Sequence, residues 1–277
     1  MQTVIDLRDP LFQSLHNQTF TAEVIATGCG VLAGGRHAAT LLQESGCELL
    51  RLENDGRLLQ PGDVVLSFCG SAKQVAVAED RVLGAMMVPS GYATRARRLQ
   101  VLAGERLRVV CGGWKKIPQA FKPGLHAALA AAGVGMRMVD EPFVYVDKNY
   151  VRMFGGVGPA LAAAAQFPDR VKVIQLRGEM CSLADEAREA VTGGADVVMV
   201  DTGRLADIAI VQDVLETLGV RDRIRVAFAG GVTEDTLLTL RHLPVDLVDV
   251  GAAILDAPML DMRVDVVVSN KGQPGRD

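Results

Sequence analysis

Between residues 170 and 265, short runs that are apolar throughout alternate with longer stretches whose apolar residues recur at helical spacing. The apolar runs are VKVIQL (171–176), ADVVMVD (195–201), IRVAFAGG (224–231) and VDLVDVGAA (245–253), and the stretches between them predict helices around 183–193, 205–218 and 233–242. Strands that are apolar on both faces and separated by helices of about ten residues are buried on both sides. They predict a parallel sheet, in an α/β barrel or a doubly wound fold. Residues 1–110 have a different texture. AEVIATGCGVLAG and GDVVLSFCG read as strands, the second introduced by a Pro-Gly turn; residues 36–46 read as a helix, and a longer helix is predicted from about Ala72 to Met87. Residues 1–110 therefore read as an α+β module with a linking helix, and residues 111–277 as the α/β domain.

In such folds chemistry collects at the carboxyl ends of the strands. The second run ends in Asp201, the third in Ala229-Gly230-Gly231 and the fourth in Gly251-Ala252. Two glycine-containing strand ends that lead into helices can turn backbone N–H groups toward an anion, as barrels do for phosphate after their last two strands; the same glycines can also serve only to make tight turns. A carboxylate closing an apolar strand needs hydroxyls, a cation or a metal-bound water as partner. Alternatively, Asp201 caps the following helix through Thr202 or Gly203.

The 277-residue chain is 49% hydrophobic and 22% charged, enough for one large domain or two unequal ones. Its longest apolar runs, such as AALAAAGVGM and GPALAAAAQF, fall short of the roughly 18 residues of a bilayer span. The N-terminal MQTVIDLRDPLFQ has neither a basic leader nor an apolar signal core, so a cytoplasmic location is expected. Five widely spaced cysteines, with no C-x-x-C pair and no histidine cluster, argue for reduced thiols rather than disulfides or zinc. A net charge of −4 argues against general nucleic-acid binding; RARR at 95–98 reads as a solvated helix face or a local phosphate-attracting patch. The polar C-terminal NKGQPGRD is expected to fray.

The order of these features resembles the quinolinate phosphoribosyltransferase family, also called nicotinate-nucleotide pyrophosphorylases, and its molybdenum-transport-associated homologues. GVLAG (30–34), PGDVVLSFCGSA (61–72), AED (78–80) and SGYAT (90–94) match that family's small sandwich domain and linking helix; GGADVVMVDT (193–202), AGGVTEDTL (229–237) and VDLVDVGA (245–252) match its barrel strands. The resemblance implies an open α/β barrel with an N-terminal α+β sandwich domain. It implies transfer of phosphoribosyl from phosphoribosyl pyrophosphate (PRPP) to a pyridine carboxylate, with Mg²⁺, in homodimers whose N-terminal domain covers the partner's barrel. It also implies that Asp201 meets ribose hydroxyls or the magnesium shell, that no side chain ligates the metal directly, and that backbone at Gly230, Gly231, Gly251 and Ala252 cradles the 5′-phosphate.

The stretch CGGWKKIP (111–118) answers to the family's Thr-Arg-Lys-Thr-x-Pro-Gly segment, anchored on Pro118. The family lysine that contacts PRPP falls on Lys115, and the arginine that contacts the substrate carboxylate falls on Trp114. Lys116 supplies charge but not arginine's bidentate fork. Without the match, Trp114 reads as filling a gap near the barrel mouth and both lysines as solvated. A family arginine of the linking helix falls on Asp80, with Arg81 one position later and turned about 100° around the helix. The paired His-Arg becomes Met136-Arg137. Lys-Asp-Asn-His becomes Asp147-Lys148-Asn149-Tyr150, an exchange that in a strand sends the two charges to opposite faces. The ribose-binding glutamate falls on Gln175, or on Glu179 if the strand end is shifted.

Quinolinate carries two carboxylates and needs several convergent cations, whereas two arginines and a histidine are replaced here, and a buried charge without a partner weakens binding by orders of magnitude. The sequence therefore predicts phosphoribosyl transfer from PRPP to an aromatic nitrogen base less acidic than quinolinate. Lys115, Asp201, Lys148 and Gln175 are the expected catalytic residues, with Trp114, Lys116, Arg137 and Arg81 around the base. Two alternatives stand beside it: a non-catalytic or regulatory relative that binds phosphate or nucleotide, and a different reaction on a phosphorylated pyridine in the same barrel.

Overall fold

The structure, a computed structural model, describes residues 6–267; the NKGQPGRD end lies outside the described residues. Its strands are β1 (Phe20–Ala26), β2 (Gly30–Val31), β3 (Glu48–Leu52), β4 (Leu58–Leu59), β5 (Val64–Gly70), β6 (Arg108–Val110), β7 (Phe143–Val146), β8 (Val171–Leu176), β9 (Val197–Val200), β10 (Arg225–Phe228), β11 (Leu247–Asp249) and β12 (Met262–Val266). Its α-helices are α1 (Arg8–Leu11), α2 (Gly35–Glu44), α3 (Ala72–Ala103), α4 (Lys122–Ala132), α5 (Lys148–Phe154), α6 (Val157–Ala164), α7 (Leu183–Thr192), α8 (Ala206–Thr217), α9 (Glu234–Leu240) and α10 (Ala252–Leu255). No helix among the described residues is long and apolar enough to cross a membrane.

The chain divides into two compact units. One holds the chain up to Thr94, Gln119–Ala132 and the chain from Ala257 onward; the other holds Arg95–Pro118 and Gly133–Asp256. The first is built on an antiparallel sheet of order β12-β1-β5-β3, with the short β2-β4 ribbon beside it. Burial alternates along β1, as one covered face requires, and Val24, Leu66, Phe68 and Met86 fill the core against it. The second unit is the open α/β barrel: a parallel six-stranded sheet of order β6-β11-β10-β9-β8-β7 that curls without pairing its edges, β6 and β7. All four residues of β9 are buried, which explains why this strand carries no polar residue until its end.

Three expectations are corrected. The helix predicted to stop at Met87 runs to Ala103 with Pro89 inside it. Proline removes the N–H that would bond the carbonyl of Ala85, and Gly34 packs so close to that oxygen that a Cβ there would lie 2.2 Å away. A division at residue 110 also does not follow the compact units: β12 pairs antiparallel with β1, from Ala22 opposite Val266 to Ala26 opposite Met262, which carries the end of the described chain into the first unit. Finally, Asp147 and Lys148 do not lie in a strand. β7 ends at Val146, Asp147 caps α5 by accepting the Asn149 and Tyr150 N–H groups at 2.9 and 3.2 Å, and Lys148 opens that helix, so the exchange of charges does not flip them across a sheet.

Candidate active site

The site is assembled at the carboxyl ends of the parallel strands. After β6 the chain makes a 3₁₀ turn (Gly112–Lys116), in which Trp114 is half-buried and Lys115 and Lys116 are exposed. This turn interlocks with the end of β11. The Gly112 N–H donates to Asp249 Oδ1 at 2.6 Å, and a Cβ on Gly113 would lie 3.1 Å from the Gly251 Cα. A side chain at either glycine would push the two loops apart. The same packing brings Lys116 to Gly251, where an added Cβ would lie 3.6 Å from Nζ.

Asp249 is a residue the sequence reading passed over. Burial pushes its carboxyl above the usual range, the Gly112 N–H opposes that, and the negative charge of Asp201 adds to it while Lys116 again opposes it. Burial also pushes the neighbouring Cys111 thiol up to about 11. With a folded-state value above the unfolded one, Asp249 contributes stability that is present below the unfolded value and lost as the pH rises through the folded one. Asp249→Asn keeps an oxygen for the Gly112 N–H and removes the titration, so its stability relative to the parent is expected to improve between about pH 4 and about pH 7. Denaturation curves giving the same difference at both pH values would overturn this.

Lys115 reaches across to β7 and α5. Its Nζ lies 3.4 Å from Asp147 Oδ2 and 5.4 Å from the centre of the Tyr145 ring. Burial, followed by the charges of Asp249, Asp201 and Asp147, keeps the Tyr145 hydroxyl neutral far above its ordinary range. Three strand-end carboxylates therefore face one tyrosine, with a lysine over its ring.

The structure brings Gln175 and Asp201 into contact with each other. The Gln175 amide donates to Asp201 Oδ2 and its oxygen accepts the Lys148 N–H at 2.7 Å, so it is a strut between the ends of β7, β8 and β9. A glutamate could accept from Lys148 but could not donate to Asp201. The same Oδ2 accepts from Arg177 Nη1 at 2.8 Å, and Arg177 Nε donates to Glu179 at 2.7 Å. Glu179 is thus in an ion-pair network on the loop beyond β8 and not on the strand. Arg177 lowers its carboxyl most, with Arg152 second. The loop itself is pinned by Glu186 of α7, only 2% exposed, whose carboxylate accepts the N–H groups of Arg177, Gly178, Glu179 and Met180 at 2.8–3.2 Å. Neither Arg177 nor Glu186 carries a sequence signal; their roles arise only when the loop folds back on α7.

Beyond β9 and β10 the two loops touch through backbone. A Cβ on Gly230, whose φ is +107°, would lie 2.6 Å from the Gly203 nitrogen, and the Gly203 N–H donates to the Ala229 carbonyl at 3.3 Å. Gly230 and Gly231 are exposed, and Ala252 opens α10 behind Gly251. Asp201 does not cap the helix that follows: α8 has Leu205 at its cap position, with no side-chain bond.

Two expected residues stand apart. Arg137 stacks over Phe143, the first residue of β7, with its guanidinium 5.9 Å from the ring centre. Arg81 is engaged within the first unit by Glu44, by the Ser45 hydroxyl at 3.2 Å and by the Leu41 carbonyl at 3.5 Å. Asp80 pairs with Arg8. Among the described residues, no group of three or more His, Cys, Asp or Glu is arranged to hold a metal ion.

A parallel open barrel that gathers lysines, aspartates and glycine-rich turns at its strand ends belongs to a class of α/β proteins that handle small charged ligands. Sequence comparison makes this specific: the model of the quinolinate phosphoribosyl transferase N-terminal domain matches residues 9–90, and that of the C-terminal domain residues 92–265. The chain belongs to the quinolinate phosphoribosyl transferase family. It is 25% identical over 251 residues to the probable nicotinate-nucleotide pyrophosphorylase (carboxylating) of Methanothermobacter thermautotrophicus, covering 88% of each chain. It is 26% identical over 245 residues to the human nicotinate-nucleotide pyrophosphorylase (carboxylating), covering 88% of this chain and 81% of that one. The solved nicotinate-nucleotide pyrophosphorylase of Francisella tularensis shares its fold with a TM-score of 0.80 at 19% identity, over 95% of this chain and 92% of that one.

Proposed function

We propose that this chain transfers a phosphoribosyl group from PRPP to an aromatic nitrogen base less acidic than quinolinate, releasing pyrophosphate. The observation that carries this reading is the pairing of retained donor-side groups, Lys115, Asp201 and the glycine turns at 230–231 and 251, with Trp114 where a carboxylate-facing arginine is expected. Family membership and the named relatives support the transfer itself. The break at the anomeric carbon is dissociative: Lys115 stabilises the departing pyrophosphate, the Asp201 carboxylate holds and compensates the cation-like sugar, and the base nitrogen attacks. Gln175, itself held by the Lys148 N–H, and Arg177 fix Asp201 in place. Backbone at Gly230, Gly231, Gly251 and Ala252 receives the 5′-phosphate.

Magnesium, implied by the resemblance, meets a donor set that does not fit it as a side-chain ligand. Gln175 offers an amide already used on both atoms, and Asp201 Oδ2 is taken by a guanidinium. In this reading magnesium arrives as the counter-ion of the donor's own pyrophosphate. We also propose a homodimer and a cytoplasmic setting. Light scattering that finds a lone 29.5 kDa species sinks the dimer, and fractionation that recovers the chain from the envelope sinks the setting.

The test is calorimetric titration with PRPP, with and without Mg²⁺, followed by pyrophosphate release with monocarboxylic and neutral nitrogen bases. PRPP binding with release is the expected result; no binding up to millimolar PRPP overturns the assignment. The double engagement of Asp201 favours a second reading, a relative that holds a phosphorylated ligand without turnover. Conversion of bound nucleotide to free base and PRPP by added pyrophosphate excludes it.

A further inference from the structure

We propose that Arg152 and Arg177 form a carboxylate clamp at the carboxyl end of β8, that Glu179 occupies it as an internal stand-in, and that a single carboxylate on the incoming base displaces Glu179. The identity of the incoming group rests on the phosphoribosyl-transfer reading; the clamp rests on geometry. Arg152, from α5, donates to Glu179 Oε2 from Nε at 2.9 Å and from Nη2 at 2.6 Å. Arg177, from the loop after β8, donates from Nε to Oε1 at 2.7 Å. Two guanidiniums thus hold the two oxygens of one planar group, the geometry that arginine forks give a carboxylate. Arg177 also bonds Asp201, so a single guanidinium joins the clamp to the carboxylate assigned to the ribose. Lys148, Gln175 and Glu186 line the same shallow, solvent-open depression beside the two arginines.

Glu179 is replaceable there. Residues 177–180 are held through their backbone N–H groups by Glu186, so the path of the loop does not depend on the Glu179 side chain. The side chains of Arg152, Arg177 and Glu179 are 51%, 31% and 32% exposed, where water screens ion pairs and leaves them a small net contribution. An incoming carboxylate therefore exchanges one weak pairing for an equivalent one and adds the burial of its own ring. Because the clamp seats one carboxylate, the substrate class is an aromatic monocarboxylic acid carrying a ring nitrogen. The cations absent at Trp114, Met136 and Asp80 are in this way partly made up from elements that the family motif does not mark.

The test is calorimetric titration of the whole chain with benzoate and pyridine monocarboxylates, and with inorganic phosphate as the anion control, in the parent, Glu179→Gln and Arg152→Gln; PRPP is titrated separately into each. Glu179→Gln is expected to tighten carboxylate binding about fivefold by freeing the clamp, Arg152→Gln to abolish it, and phosphate to follow neither change. Unchanged melting temperatures in both variants keep the result from being one of folding. Carboxylate affinity that ignores both substitutions, or phosphate that responds equally, overturns the clamp. If PRPP binds none of the three proteins while the carboxylate response persists, the phosphoribosyl-transfer reading falls and the clamp stands.

Discussion

Asp201→Asn is expected to lower the rate of PRPP-dependent product formation by at least about a hundredfold, the scale of removing one preorganised electrostatic partner of a transition state. In the parent, Oδ2 is fixed by the Gln175 amide and the Arg177 guanidinium, and in the proposed reaction Oδ1 meets the ribose. Asparagine must turn its single oxygen toward those two donors. Its NH₂ then faces the sugar, and the negative charge that compensates the developing cation is gone. The effect should fall on kcat more than on the binding of PRPP, because the charge matters most when the leaving group departs. Lys115→Ala removes the cation that the proposed reaction assigns to the pyrophosphate and should cost a similar factor. Single-turnover product formation measures both; full activity in the two variants together would remove this chemistry from the strand ends.

The second large effect is on stability. Glu186→Gln is expected to destabilise the fold by about 2–4 kcal/mol, since an amide offers one acceptor oxygen to a site where two oxygens serve four N–H groups, and each buried donor left unmatched costs about 1–3 kcal/mol. The side chain keeps its size, so packing of α7 against the barrel is preserved and the loss reports the hydrogen bonds. Urea denaturation of parent and variant gives the difference. A loss below about 0.5 kcal/mol, the range of an ordinary surface substitution, would mean that the loop beyond β8 is not held by this carboxylate.

The parallel strands were legible because each is a closed apolar run with a polar or glycine terminus: VKVIQL is β8, residue for residue. β12 was not, since MRVDV alternates on a half-exposed edge and only β1 gives it a partner. Helix α3 outran its prediction because tertiary packing accommodates the orphan carbonyl that Pro89 creates, which no local rule foresees. Within the site, Asp201 was singled out by position, as a carboxylate closing an apolar run, whereas Lys115 was singled out only by the family resemblance. Asp249 sits at an equally informative place, two residues before Gly251, but its bond to Gly112 joins residues far apart in the chain. The contact of Arg137 with the face of Phe143 was likewise not legible in the sequence, because it joins a loop residue to the start of the next strand.

The pairing of Ala22 with Val266 has a consequence for the order in which the chain is finished. During synthesis every strand of the barrel has been made by Asp249, but the first unit's sheet still lacks β12. The N-terminal sheet is begun first and closed last. Until Met262–Val266 leave the ribosome, the outer edge of β1 is an open row of donors and acceptors, the kind of edge that recruits strands from other chains.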